Sequence, residues 1–230
     1  MSQISTGIEC IDTNIGGSIK PKTITLIYGE PETGKSTLAM QIAVNCAKQN
    51  SKVLFVDCDN TFSTKRLYEI SGDRFNDVAE RIVLVKPKDF KEQTALIDQI
   101  QDYLVNVGLI VIDTFTSLYS AKTAETSGKA FGVNRELNRQ LAILAQTVKI
   151  KKIPLIMTSQ VRSVIGDESS SVRPVATRVV KFWAENIIFL KPAKIPQTIK
   201  ATIEKAPQLT DEAVCYIQIG DSGIRHTQLH

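Results

Sequence analysis

The sequence has no stretch of about 18 consecutive apolar residues, so nothing in it signals a membrane-spanning helix. The N-terminus, MSQISTGIECID, has no apolar central run and does not read as a signal peptide. The four cysteines, Cys10, Cys46, Cys58 and Cys215, are scattered, with no C-x-x-C pair and no histidine cluster beside them. That spacing argues against a zinc site and against a disulfide framework; the thiols read as small buried side chains in a reducing compartment. Together these absences point to a cytoplasmic protein with no membrane partner. Repeats, low-complexity tracts and long linkers are also missing, which excludes solenoids and disordered arrays. Charge of one sign is not abundant. The net charge of +4 permits a nucleic-acid partner without demanding one.

What is present is an ordinary globular composition, 43% hydrophobic over 230 residues. That length suits one domain, residues 1–230, with a single large sheet. Short β-rich runs alternate with longer amphipathic ones. TITLIY (23–28), VLFVD (53–57), IVLV (82–85), LIVID (109–113) and PLIMTS (154–159) are apolar on both faces, as strands of a parallel sheet buried between helices must be. Helical stretches are predicted over 35–49, 90–105 and 131–150, the last with Leu137, Leu141, Leu144, Ala145 and Val148 along one stripe. Strand–helix alternation means crossover connections and an α/β fold with a mostly parallel, twisted sheet flanked by helices. After Ile187 helices vanish, and 187–190, 198–204 and 213–219 read as antiparallel strands extending that sheet. Residues 162–174, RSVIGDESSSVRP, are polar, Ser-rich and aperiodic, and are expected to form a mobile loop.

The strongest signal is Gly29-Glu30-Pro31-Glu32-Thr33-Gly34-Lys35-Ser36-Thr37, a full match to the phosphate-loop pattern G-x-x-x-x-G-K-S/T between a strand and a helix. Such a loop turns successive backbone N–H groups and a helix N-terminus toward phosphate oxygens. Gly34 lets the backbone approach, Lys35 supplies a positive point charge to the terminal phosphates, and Ser36 offers a hydroxyl to Mg²⁺. Asp113 ends the strand LIVID, where a carboxylate points into the ligand crevice, and it reads as the second metal-holding group. A helix-capping carboxylate gives the same pattern. Asp57-Cys58-Asp59 ends another strand, and one of its carboxylates suits the orientation of an attacking water. Gln160, after PLIMTS, suits either a γ-phosphate sensor or a buried amide satisfied by backbone.

With these residues placed, the chain resembles the ATPase core of the RecA superfamily, most nearly an archaeal paralogue of the recombinase RadA. The resemblance is carried by ISTGIECIDTNIGG (4–17), by the phosphate loop, and by VDCDNTFSTKRL (56–67), which is similar to the family's IDTEGTFRPERL. It continues through NRELNRQLAILAQ (134–146), MTSQV (157–161) and VRPVATRVVKFWAENIIFL (172–190). The single Trp183, and a start directly at the core without a helical N-terminal domain, match the paralogue rather than RadA. The resemblance implies a RecA-like P-loop NTPase core, with ATP and Mg²⁺ as cofactors and a role in DNA repair and homologous recombination. It implies Asp59 as the catalytic carboxylate, Arg66 stacked on adenine, and Gln160 as the link from γ-phosphate to a DNA loop. The first DNA loop falls at about 120–133 and the second from Arg162 to about Arg178. Arg162, Arg173, Arg178 and Lys181 are the basic residues in or beside the second loop, suited to the phosphates of single-stranded or branched DNA. A solvated surface loop has the same composition, and without aromatics its base stacking is expected to be weak.

Three departures shape the functional expectation. Asp59 is one methylene shorter than the family's Glu, a shortfall of about 1 Å, which lowers the hydrolysis rate on the order of 10²-fold. The family's P-x-G-G-H reads Pro174-Val175-Ala176-Thr177-Arg178, so both glycines are gone and strand exchange is not expected. Lys205 stands where the family caps a neighbour's ATP, and reads either as a cation acting in trans or as an ordinary solvated lysine. The expected protein is a weak Mg²⁺-dependent ATPase assisting a RadA-type recombinase or a junction-processing nuclease, with oligomerisation left open. A nucleotide-gated regulator of a partner protein, without useful turnover, is the alternative. A small-molecule kinase ranks last, since no cationic lid is visible.

Overall fold

The computed structural model describes residues 3–125, 130–163, 172–174 and 176–227. Ten strands form a sheet in the order β10-β9-β8-β7-β1-β5-β4-β2-β3, with β6 paired to β5 off that path. The central strands are β1 (Ile24–Gly29), β5 (Leu155–Ser163) and β4 (Val107–Asp113), continued by β2 (Lys52–Asp57) and β3 (Ile82–Val85) on one side and β7 (Asn186–Pro192) on the other. All of these pair in parallel. From β7 outward, β8 (Ile199–Lys205), β9 (Ala213–Gly220) and β10 (Gly223–His226) pair antiparallel. The parallel sheet with an antiparallel C-terminal extension is thus as the sequence predicts.

Helices cover both faces. On one lie α1 (Glu9–Asn14), α2 (Lys35–Lys48), α3 (Thr64–Ser71) and α4 (Phe75–Ala79), packing Ile11, Leu38, Ile42 and Leu67 against Ile27, Phe55 and Val111. On the other lie α5 (Phe90–Asp98), α6 (Ser117–Glu125), α7 (Ala130–Lys151) and α8 (Thr177–Trp183), packing Leu96, Leu137, Leu141 and Val180 against Leu26, Leu54 and Ile110. Each sheet face therefore has its own apolar core, which is why apolar residues fill both faces of the central strands up to their polar carboxyl ends. Local chemistry sets the helix starts. The Ser63 hydroxyl accepts from Arg66 N–H at 3.1 Å to cap α3, and Asp89 accepts from Glu92 N–H at 2.7 Å to cap α5.

Several expectations are corrected. The predicted helix 90–105 stops at Asp98 and tightens into a 3₁₀ turn, Ile100–Tyr103, which keeps Ile100 and Leu104 buried while turning the chain toward β4. The run 82–85 is an edge strand, so Val83 and Leu84 are partly exposed. The two ends of the expected loop 162–174 pair as an antiparallel hairpin, β5 against β6 (Val172–Pro174), with Arg162 opposite Arg173. The middle of that loop, 164–171, lies outside the described residues. The cysteine reading also changes: Cys10 and Cys215 form a disulfide, Cα–Cα 6.0 Å, although 205 residues separate them. The sheet lays α1 against β9, a proximity that spacing along the chain does not encode. Cys46 and Cys58 are free and buried as expected, and burial pushes the Cys46 thiol up to about 12.

Candidate functional site

The carboxyl ends of β1, β2, β4 and β5 converge at one edge of the sheet, and the sequence-predicted residues meet there. β1 ends at Gly29. A Cβ at this position would lie 2.1 Å from the Leu190 carbonyl oxygen of β7, so only glycine lets the strands pack and the loop begin. The loop then folds on itself. Thr33 Oγ1 donates to the Glu30 carbonyl at 2.8 Å, and Lys35 Nζ donates to the same oxygen at 2.6 Å. Gly34, at φ 85°, is the N-cap of α2. Leu38 N–H donates to the Gly34 carbonyl at 2.8 Å as the first helical bond, which leaves the preceding amides at the helix N-terminus without helical partners.

Three carboxylates stand behind this loop and divide their roles. Asp57 and Asp113 are in register on adjacent strands, and both are buried. Asp57 accepts from the Thr61 and Phe62 amides at 3.0 and 2.9 Å and lies 3.4 Å from Lys86 Nζ. It is thereby spent on fixing the loop that carries Asp59. Asp113 accepts a hydroxyl bond from Thr158, and the Ser36 hydroxyl lies close enough to favour its charged form. Burial raises its pKa above the usual carboxylate range, those two hydroxyls pull it back down, and the charges of Asp59 and Asp57 raise it further. The Lys35 ammonium is shifted the other way: burial lowers its pKa, opposed by Asp113, Asp59 and Glu30. A cleft of about 340 Å³ opens between these groups, lined by Gly29, Pro31, Lys35, Ser36, Asp59, Thr61, Thr114, Gln160 and Val161. The side chain of Gln160 is exposed to it. A larger cavity of about 670 Å³, bordered by Lys52, Arg81 and Asn106, lies at the amino ends of the strands, away from this chemistry.

The remaining expected residues scatter. Glu32, Gly34 and Thr37 line a second depression, about 240 Å³, together with Ile219 of β9. Arg66 is held at the edge of this region: its guanidinium donates to the carbonyls of Gly220 and Asp221, both at 2.8 Å, and pairs with Glu69 at 3.0 Å. It clamps the β9–β10 turn. Arg178 is exposed on α8. The backbones of Arg162 and Arg173 face each other across the β5–β6 hairpin. Lys181 departs from the expected DNA contact. It pairs with Glu204 at 2.6 Å, donates to Tyr28 Oη at 3.0 Å and lies 4.7 Å from the centre of the Tyr28 ring. Lys205 donates to the Ala184 carbonyl at 2.6 Å, within its own chain.

The family model described as Rad51 matches residues 1–227. The chain belongs to the Rad51 family. It is 30% identical over 191 residues to the DNA repair and recombination protein RadB of Methanothermobacter thermautotrophicus, covering 81% of this chain and 80% of the relative. It is 29% identical over 229 residues to RadB of Thermococcus kodakarensis, covering 98% of this chain and all of the relative (100%). A solved structure described as the RadB recombinase superposes with a TM-score of 0.81 at 26% identity, covering 98% of this chain and 100% of that one. The fold and the resemblance to RadB are thus found by independent comparisons of sequence and structure.

Sequence reasoning missed Thr61, Thr114 and Ile219 at the clefts. Thr61 sits within the quoted segment VDCDNTF and was in reach. Thr114 follows Asp113 directly. Ile219 had no local signal, since only the pairing of β9 and β10 brings it over Gly34. Buried Gln41 of α2 fixes that placement by bonding both the Ile224 amide, at 2.6 Å, and the Ile224 carbonyl, at 3.1 Å.

Proposed function

We propose that this chain is a single RecA-like ATPase core that binds ATP with Mg²⁺, hydrolyses it slowly, and contacts DNA as an accessory of repair and homologous recombination. The observation that carries the reading is the convergence of Lys35, Ser36, Asp59 and Gln160 on one cleft, with the Asp113 carboxylate close behind Ser36. A hydroxyl and a carboxylate brought to one place offer oxygen ligands only, which fits a hard cation such as Mg²⁺. Ser36 and Asp113 would hold that ion, and its charge would screen the phosphates of the nucleotide. Lys35, now resting on a backbone carbonyl, turns toward the terminal phosphates. The helix N-terminus after Gly34 receives the inner ones. Asp59 orients the attacking water from a short side chain, which makes turnover slow.

The DNA contact is assigned to Arg162, Arg173 and Arg178 around the hairpin that follows Gln160. Strand exchange is not part of the proposal. Ala176 takes φ 54°, a conformation that glycine adopts freely, so the substituted segment is held more stiffly than a glycine pair would be. A RadA-type recombinase or a junction-processing nuclease is the expected partner, and the expected compartment is the cytoplasm. Among the described residues no helix is long and apolar enough to cross a membrane.

An ATPase assay with and without single-stranded DNA, paired with calorimetric ATP titration of Lys35→Ala, tests the reading. Slow Mg²⁺-dependent turnover and loss of tight ATP binding in the variant are expected. Unchanged ATP affinity in Lys35→Ala sinks the phosphate-loop assignment. ATP binding without turnover in any condition favours a nucleotide-gated regulator of a partner protein instead.

A further inference from the structure

The second-loop segment contains no aromatic residue, yet the fold assembles an aromatic surface beside it. Phe131, in the first turn of α7, is 81% exposed, and Phe182, near the end of α8, is 74% exposed. The two line one shallow depression of about 390 Å³ together with Arg135 and Arg178. Both arginines are exposed, and neither has a polar partner among the described residues. No carboxylate lines the depression. Trp183 packs edge-on against Phe182 at 5.3 Å, and its indole N–H donates to Asn138 Oδ1 at 3.0 Å. That contact buttresses the base of the platform.

Two exposed phenyl rings are costly to leave in water, and this pair serves neither apolar core. The chemistry that fits them is a planar ring bearing a nearby anion. We propose that Phe131 and Phe182 are a base-stacking platform for single-stranded nucleic acid, with Arg135 and Arg178 pairing to the phosphates on either side. The proposal rests on the DNA-binding reading above and deepens it, because it names the part of the ligand recognised. Every base has a π-face, so the platform accepts any sequence. A duplex hides its base faces and is not retained there. Neither ring belongs to the Ser-rich segment, so affinity for bases and affinity for phosphates come from separable residues.

The test uses fluorescence anisotropy of labelled oligothymidine and of an abasic strand of equal length, each over a salt series. Phe131→Ala/Phe182→Ala is expected to weaken oligothymidine binding about ten-fold or more. Its salt slope, and its affinity for the abasic strand, are expected to match the wild type. Arg135→Ala/Arg178→Ala is expected to weaken both strands and to lower the slope by roughly 0.7 per lost phosphate contact. Trp183 fluorescence should be quenched by oligothymidine and not by the abasic strand. Phe131→Tyr/Phe182→Tyr keeps the rings and should keep the affinity. A thermal melt confirms that each variant folds, which the exposure of the four side chains makes the expected result. Wild-type affinity in the double alanine variant overturns the platform while leaving DNA binding by the basic residues in place. Loss of wild-type binding to both strands removes the DNA reading itself. A changed sedimentation coefficient in the alanine variant, with DNA affinity unaltered, makes the patch a protein contact and overturns the proposal.

Discussion

Gln160 lies directly across the ladder from Gly29. β1 and β5 run parallel, and their register puts the first residue of the phosphate loop opposite the residue where β5 leaves the core. Two residues further on, Arg162 is already paired with Arg173 in the β5–β6 hairpin. One side chain therefore stands in the cleft while its backbone belongs to the strand that continues into the basic hairpin. Contact with a γ-phosphate at Gln160 would be felt at Arg162 through two residues of a hydrogen-bonded strand.

For Gln160→Ala the expectation is an ATP affinity close to wild type and loss of any ATP effect on DNA affinity. The change cuts the coupling between two sites and leaves each site standing. DNA titrations with and without ATP measure it. A variant that keeps the full ATP effect shows that coupling runs elsewhere.

Asp59→Glu should raise ATP turnover by up to about 10²-fold, and Asp59→Asn should lower it, with ATP affinity little changed in both. The added methylene restores about 1 Å of reach toward the attacking water, and misplacement on that scale is felt mainly in the rate. Asp57 is excluded from this role because its carboxylate is occupied by the Thr61 and Phe62 amides. Steady-state hydrolysis of the three proteins decides the matter; equal rates would mean Asp59 is structural.

Asp113→Asn should make the nucleotide-free protein more stable near neutral pH while weakening the Mg²⁺-dependent part of ATP binding. Burial raises the pKa of Asp113 in the folded state, so folding favours its protonated form. That preference stabilises the fold fully only below the unfolded carboxyl pKa, about 3.9, and is lost as pH rises through the folded value. The variant carries no such burden, so its advantage should appear as pH rises and vanish in acid. Melting curves across pH report it, and a variant less stable at neutral pH contradicts the argument.

Lys181→Met should lower Tm by about 2–4 °C and leave the salt dependence of DNA binding unchanged. Lys181 is held by Glu204 and by the hydroxyl and ring of Tyr28, so its charge is already engaged inside the chain. Arg178→Ala gives the opposite pattern, with stability kept and the slope reduced. A reduced slope in the Lys181 variant would return that lysine to the DNA surface.

The chemistry of the phosphate loop was legible because it is local. Gly29, Gly34, Lys35 and Ser36 act through the backbone shape of nine consecutive residues, and the strand and helix that flank them are written in apolar periodicity. The ends of β2 and β4 were legible for the same reason, since each strand closes on an aspartate. Spacing alone left Asp57 and Asp59 equivalent, and the choice of Asp59 came from the resemblance. Only the folded loop spends one on the Thr61 and Phe62 amides and leaves the other in the cleft. Lys181 and Arg178 likewise looked alike three residues apart, until α8 turned the first toward Tyr28 and the second toward water. The Cys10–Cys215 disulfide, Ile219 over Gly34, and the placing of Phe131 and Phe182 around one depression each bring together residues far apart in the chain. Such contacts are set by strand order and helix packing, which composition and spacing do not encode, because the sheet alone decides which distant surfaces it brings within reach.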